Sequence, residues 1–423
     1  MNDGAQTLLQ MSSPEYRNAP TGIARESLTH RGSGVFRRDL EVFLTAFTRL
    51  SAENGLPHDA QVFVKELALD KTLCDALKRQ QVTDCLNVLA KYDKDEACRN
   101  AALALAARLA NDEQLVESLD AQHIGICLTA LSKWDREPLC RAAGIRLANR
   151  IASDPVLTDE LNSEVIPGCL NALGRWHEES ECAKAGMQLA RRLVADQNLL
   201  YGLNGHAVAH CLSALGKWSH APICSDAGRR LSSRIATDDM LVKQLNGVRV
   251  ANCLGALGQW SADESCRAAA LRLAKRISDD GPLRHHLNGR HVAVCLDALA
   301  NWHTNEMCRK AAAHLARRLA SDSSICDRLT AKHVANCLEA LSKLTGESAC
   351  RPAVIRISQR ILTDKALCDS LDDQQVIKCS TALSAWGSQH VCDRARASLD
   401  QLLQDRRSVL GHVNVKTPVS LTA

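Results

Sequence analysis

The residues best equipped for chemistry in this 423-residue chain are its nineteen cysteines. Thiolates ligate zinc, attack electrophiles or oxidise to disulfides, and spacing distinguishes these uses. Cys85, Cys127, Cys169, Cys211, Cys253, Cys295, Cys337 and Cys379 follow one another at intervals of 42 residues. Cys98, Cys140, Cys182, Cys224, Cys266, Cys308, Cys350 and Cys392 repeat the interval 13 residues later. Cys74, Cys326 and Cys368 share a third phase, where other copies carry Val, Thr, Leu or Arg. A position that accepts Leu is a packing position, and free cysteine packs as a small hydrophobe. Zinc ligands come in pairs two to four residues apart, whereas no C-x-x-C occurs here. The expectation is a set of buried, reduced thiols in a reducing compartment.

Other chemistry is sparse. His206 and His210 in "HAVAH" are one helical turn apart, a spacing that suits a metal, but the glutamate of H-E-x-x-H is missing. There is no P-loop, no Rossmann fingerprint and no G-x-S-x-G elbow. We therefore expect no catalytic residue, no cofactor and no metal.

The elements behind this pattern are set by the same interval. Trp134, Trp176, Trp218, Trp260 and Trp302 are 42 residues apart, Leu344 and Trp386 continue the phase, and Tyr92 and Leu50 extend it backwards. Self-similarity at such a period predicts an all-α fold, a right-handed α-solenoid of about nine armadillo- or HEAT-like repeats. Aromatics at only 3% and modest Gly and Pro suit close-packed helices. The expected layout is a disordered, polar N-terminal segment over 1–35, repeats over 36–403 and a C-terminal tail over 404–423. A net charge of +4 excludes little, and no apolar run is long enough for a membrane span.

Within one copy, a first helix places Ile124, Cys127, Leu128, Leu131 and Trp134 on one side and Gln122, Ile126, Thr129 and Lys133 on the other. A second helix begins near Cys140, and a short third starts at Asp154. Asp recurs at that phase from Asp70 to Asp364 and reads as an N-cap. Arg recurs four residues earlier, from Arg108 to Arg360, and the pairing predicts a ladder of ion pairs running from copy to copy. The tryptophans (with Trp386) read as packing residues, because Leu takes their place twice.

The strings "ALSKW", "ALGRW", "ALGKW", "ALGQW", "ALANW", "ALSKL" and "ALSAW" resemble the SKWP-repeat family of type III secreted effectors from plant-pathogenic bacteria. The resemblance covers residues 36 to about 403 and is carried best by Ser132, Lys133 and Trp134. The family's proline is absent; Asp135, His177, Ser219, Ser261 and His303 follow the tryptophans. The resemblance implies a non-enzymatic scaffold, delivered through its N-terminal segment into a host cell.

Packing columns repeat their residue, whereas contact columns are free to vary. Four exposed columns of the first helices form a stripe with ten basic and four acidic residues. Candidate contacts are Arg49, Asp84, Lys91, Lys133, Arg175, His206, His210, Lys217, Asn252, Arg290, Lys332, Asn336, Lys343 and Lys378. Such a stripe fits a host protein first and RNA second, since a regular base-reading code and surface aromatics are missing.

Overall fold

In the computed structural model, the described residues are Leu56, 58–387 and 389–413. The expected export segment and Arg49 lie outside them. Among the described residues every regular element is helical and there is no strand. The chain divides into two units, Met1–Arg192 and Leu193–Ala423, with the division inside the Ser180–Ala195 helix.

In each unit the helices pack on their sequence neighbours in two stacks. In the first unit, the helices Arg79–Leu89, Ala121–Leu131 and Ile166–Leu173 stack in order, and beside them stack His58–Leu69, Glu96–Asn111 and Pro138–Ser153. The second unit stacks Gly205–Leu215, Gly247–Leu257, Gly289–Ala300, Ala331–Ser342 and Asp373–Ser384. Its other stack holds Pro222–Thr237, Glu264–Asp279, Glu306–Ser321, Arg351–Thr363 and His390–Val413. Short helices such as Pro155–Glu160 and Asp239–Gln244 make the connections.

Local sequence explains the breaks. First helices tighten into a 3₁₀ turn at Ser132–Trp134, Gly216–Trp218 and their counterparts, so the tryptophan closes the element. Pro138 and Pro222 then open second helices, where a missing N–H costs nothing. The second helix of the worked copy thus begins at Pro138, slightly before the expected start near Cys140. Each Asp of the recurring column caps a short helix: Asp154 accepts from the Leu157 amide at 3.0 Å and Asp238 from Leu241 at 2.9 Å. Such a cap contributes on the order of 1 kcal/mol. A second capping column went unread in the sequence: Asp120, Asn204, Asn246, Asn288 and Asp372 start the first helices in the same way.

The arginine column corrects the expected ladder. Arg and Asp do approach within one copy, at 3.3 Å for Arg108–Asp112 and 3.2 Å for Arg360–Asp364. Between copies, however, the guanidinium donates to backbone carbonyls at the end of the preceding short helix. Arg108 Nη1 reaches Cys74 O and Leu77 O, each at 2.6 Å, and Arg234 Nη1 reaches Leu200 O at 2.5 Å and Leu203 O at 2.9 Å. A cation there meets the negative end of the helix dipole and satisfies orphan carbonyls. Burial holds the Arg234 pKa below its usual range, with Asp238 and Tyr201 opposing, and its side chain still finds acceptors.

The last helix, His390–Val413, runs past the tail boundary expected at 403. Arg406 on this extension donates to Leu371 O at 2.7 Å and pairs with Asp373 at 3.1 Å, so the clamp recurs one turn later than the column predicts.

Apolar columns fill the space between the stacks. The alanines from Ala101 to Ala395 are fully buried, and the absence of a longer side chain lets backbones approach. Trp134, Trp176, Trp260 and Trp302 are buried, and each Nε1 donates to the carbonyl 41 residues upstream. Trp386 is buried too, but its Nε1 has no partner among the described residues. Two glycines make room for the rings: a Cβ at Gly144 would lie 2.5 Å from Trp176 Cζ3, and one at Gly228 2.7 Å from Trp260 Cη2. Trp218 is only 2% exposed. Trp218→Ala is therefore expected to cost roughly 3 to 5 kcal/mol, read as a lower urea midpoint; an unchanged midpoint would make the ring a surface contact.

Candidate functional site

The thiols are the first chemistry to place. All nineteen cysteines are free, and all but the half-buried Cys368 are buried. Burial pushes the Cys127 thiol up to about 12, partly offset by its contact with Thr83 Oγ1 at 3.6 Å. Cys253 and Cys295 are also pushed up to about 12 by burial. Thiols held protonated in apolar surroundings are neither nucleophiles nor zinc ligands. Among the described residues no cluster of three or more His, Cys, Asp or Glu could hold a metal, and no helix is long and apolar enough to cross a membrane.

In the worked copy the stripe residues Gln122, Thr129 and Lys133 are exposed and Ile126 is half-buried. In the first unit Lys91, Lys133 and Arg175 are exposed. Asp84 is half-buried and accepts from Gln80 at 3.1 Å, while Arg175 pairs with Asp135 at 3.3 Å. Lys133 makes no ion pair among the described residues.

The second unit brings part of the stripe together. Asn336 Nδ2 donates to Asp297 Oδ2 at 3.3 Å and Asn336 Oδ1 accepts from Lys378 Nζ at 3.1 Å. Glu339 pairs with both Lys378 and Lys343, the latter at 3.6 Å. Burial raises the Asp297 pKa despite the opposing charges of Lys378, Lys343 and Lys332. These residues come from consecutive first helices, so the network also ties the stack together. Two of the cations counted in the stripe thus share one of its carboxylates, Glu339. Arg290, Lys332 and Lys217 are exposed, and Asn252 is half-buried.

His206 and His210 form a tilted pair with ring centroids 4.3 Å apart. Burial is the main cause that lowers both pKa values; His210 falls to about 4, with His206 and Arg249 adding repulsion. A neutral pair suits metal binding, but Arg249 opposes a cation and no third ligand joins. His210 is only half-buried, rather than fully on the surface as its column suggested.

No family model matches this chain. No curated protein matches it either. What the chain does must be argued from the faces themselves.

Two outcomes check this description. With a chromogenic disulfide reagent, the folded protein should react slowly, Cys368 first, and denaturant should release all nineteen thiols; fast native titration of several would show the columns to be accessible. The folded His210 pKa lies below its unfolded value, so the unfolded chain takes up the proton first on acidification. Stability should fall as pH drops from about 6.5 towards 4, and His210→Gln should flatten that dependence in urea titrations. An equal slope in the variant would remove the assignment.

Proposed function

We propose that the chain acts by binding, as a right-handed α-solenoid of about nine 42-residue units whose first-helix face engages a protein partner. On this reading it is a type III effector of the kind its repeated strings resemble, and the partner belongs to the host cell. The observation that carries the reading is the contrast between columns. The Ala101 to Ala395 column keeps its residue and is fully buried. The column from Asp84 through Ile126, Gly168, His210, Asn252, Val294 and Asn336 to Lys378 changes chemistry at every step on a half-exposed face. Variation of this kind gives each unit its own contact, which is how helical solenoids recognise long partners.

RNA is the weaker reading for this face. Glu339 takes up Lys343 and Lys378, and neither Tyr201 nor any other exposed large hydrophobic of these units offers an aromatic on the first helices.

The test immobilises the full chain and the Lys133→Glu, Lys217→Glu, Lys343→Glu variant in plant-cell lysate, with and without RNase. A host protein retained by the native chain, lost by the variant and indifferent to RNase supports the proposal. RNase-sensitive recovery would assign the face to RNA, and equal recovery by both chains would remove it as the contact surface.

A further inference from the structure

Net charge conceals a segregation that the second helices make visible. In the unit Leu193–Ala423, three consecutive second helices contain no carboxylate over residues 265–278, 307–321 and 351–363. Their three acids lie at helix ends: Glu264 and Glu306 in the first turn, where the helix dipole holds them, and the exposed Asp279 at the last residue of its helix, one turn beyond Lys275. Arg276, Arg318 and Arg360 are spent on carbonyls of the preceding short helices. Arg272 pairs with Asp239 and Arg309 with Glu347. That leaves Arg267, Lys275, Lys310, Arg317 and Arg351 exposed and Arg356 half-exposed, none of them in an ion pair among the described residues.

The middle of this face shows the same imbalance. His314 is half-buried, and Arg317 Nη1 lies 3.3 Å from its Nδ1. The charges that press on it after burial are Arg284, Arg317 and Lys310, with no carboxylate among them. A solvated helix exterior ordinarily mixes signs, as this chain does overall with 52 basic and 48 acidic residues. Six cations without an ion pair among the described residues, on adjoining helices whose acids are confined to the helix ends and to Glu347 on Arg309, leave repulsion that a polyanion relieves.

The choice of polyanion follows from what the face lacks. The exposed large hydrophobics of this unit are Tyr201, Met240, Val248 and Ile377, and none is on these three helices. An anionic membrane would need apolar side chains to insert, and a protein interface would need an apolar or aromatic centre. Single strands are held by stacking on aromatics, which are absent as well. A duplex needs only cations for its fixed rows of phosphates. Arg267 and Arg351 share one phase of the repeat, and Lys275 and Arg317 another, so the charges form rows across helices packed about 10 Å apart.

We infer that this second-helix face binds the phosphate backbone of a nucleic-acid duplex without reading its bases. The inference does not rest on the protein-binding role of the first-helix face, and the two surfaces use different stacks.

The test measures anisotropy of a short fluorescent duplex, one of DNA and one of RNA, against the full chain between about 50 and 200 mM salt. Six phosphate contacts give a log–log salt slope of about −5 and an affinity loss of about 10³-fold over that range. Lys275→Gln, Lys310→Gln, Arg317→Gln should bring the slope to about −3, while Lys133→Gln, Lys217→Gln, Lys343→Gln should leave it unchanged. Circular dichroism checks the fold, and Arg267→Gln with Arg351→Gln provides a second variant, expected to lower the slope by about 2. Binding to either duplex with these slopes supports the inference. It is overturned by absent duplex binding, by slopes that ignore the second-helix variants, by loss of binding in the first-helix variant, or by stronger retention on phosphatidylserine vesicles.

Discussion

Hydrogen bonds that reach back about one period hold neighbouring copies of the helical motif together. In copies such as those of Arg108 and Arg234, an arginine from the second helix closes the short helix 31 to 34 residues before it, and a tryptophan Nε1 reaches the carbonyl 41 residues before it. Both are directional, and both use backbone acceptors left orphaned by a helix end. The bond from an arginine is charge-assisted and worth about 1.5 to 3 kcal/mol. Apolar burial supplies the bulk of the stability, but burial alone would permit neighbouring helices to slide. Fixed acceptors at fixed distances set the register, and the buried alanines and the glycines under the rings then fit only in that register.

Much of this was legible in the sequence because it is periodic. The thiols, the tryptophans and the capping aspartates each announced their role by recurring beside apolar residues, and the structure places them as packing and caps. The arginines were misread for a physical reason. An aspartate four residues away is visible in the letters, whereas a carbonyl oxygen belongs to every residue and marks none. The pairings within the exposed stripe were illegible for a related reason: Lys378 meets Asn336 at a separation of 42 residues, and Asn336 meets Asp297 at 39, contacts that need the stacked helices before they exist. The last helix outruns the column because Arg406 stands one turn out of phase, a shift the repeat interval does not announce.

The same stacking that buries one side of each helix leaves two unlike exteriors. First-helix residues vary, mix signs and bond across the stack, as Asp297, Asn336, Glu339 and Lys378 do. The exteriors of three consecutive second helices in the unit Leu193–Ala423, over residues 265–278, 307–321 and 351–363, carry basic residues and no acid. Variety suits selection among partners, whereas monotony suits a ligand that is itself uniform. A single repeating motif thus offers two kinds of surface, because its helices face solvent on opposite sides of one apolar layer.

The back-reaching bonds also bear on how such a chain changes length over generations. Their span depends on the period and not on how many copies precede them. An in-frame duplication of 42 residues therefore delivers a tryptophan and an arginine that find the usual carbonyls waiting, and a deletion of the same length rejoins partners of the same kind. Insertions that are not whole periods change these spans, and Arg406 shows that a donor displaced by one turn reaches its carbonyls only from a new position. Change in copy number is consequently quantised, and whole units can be gained or lost without any new solution to the problem of folding.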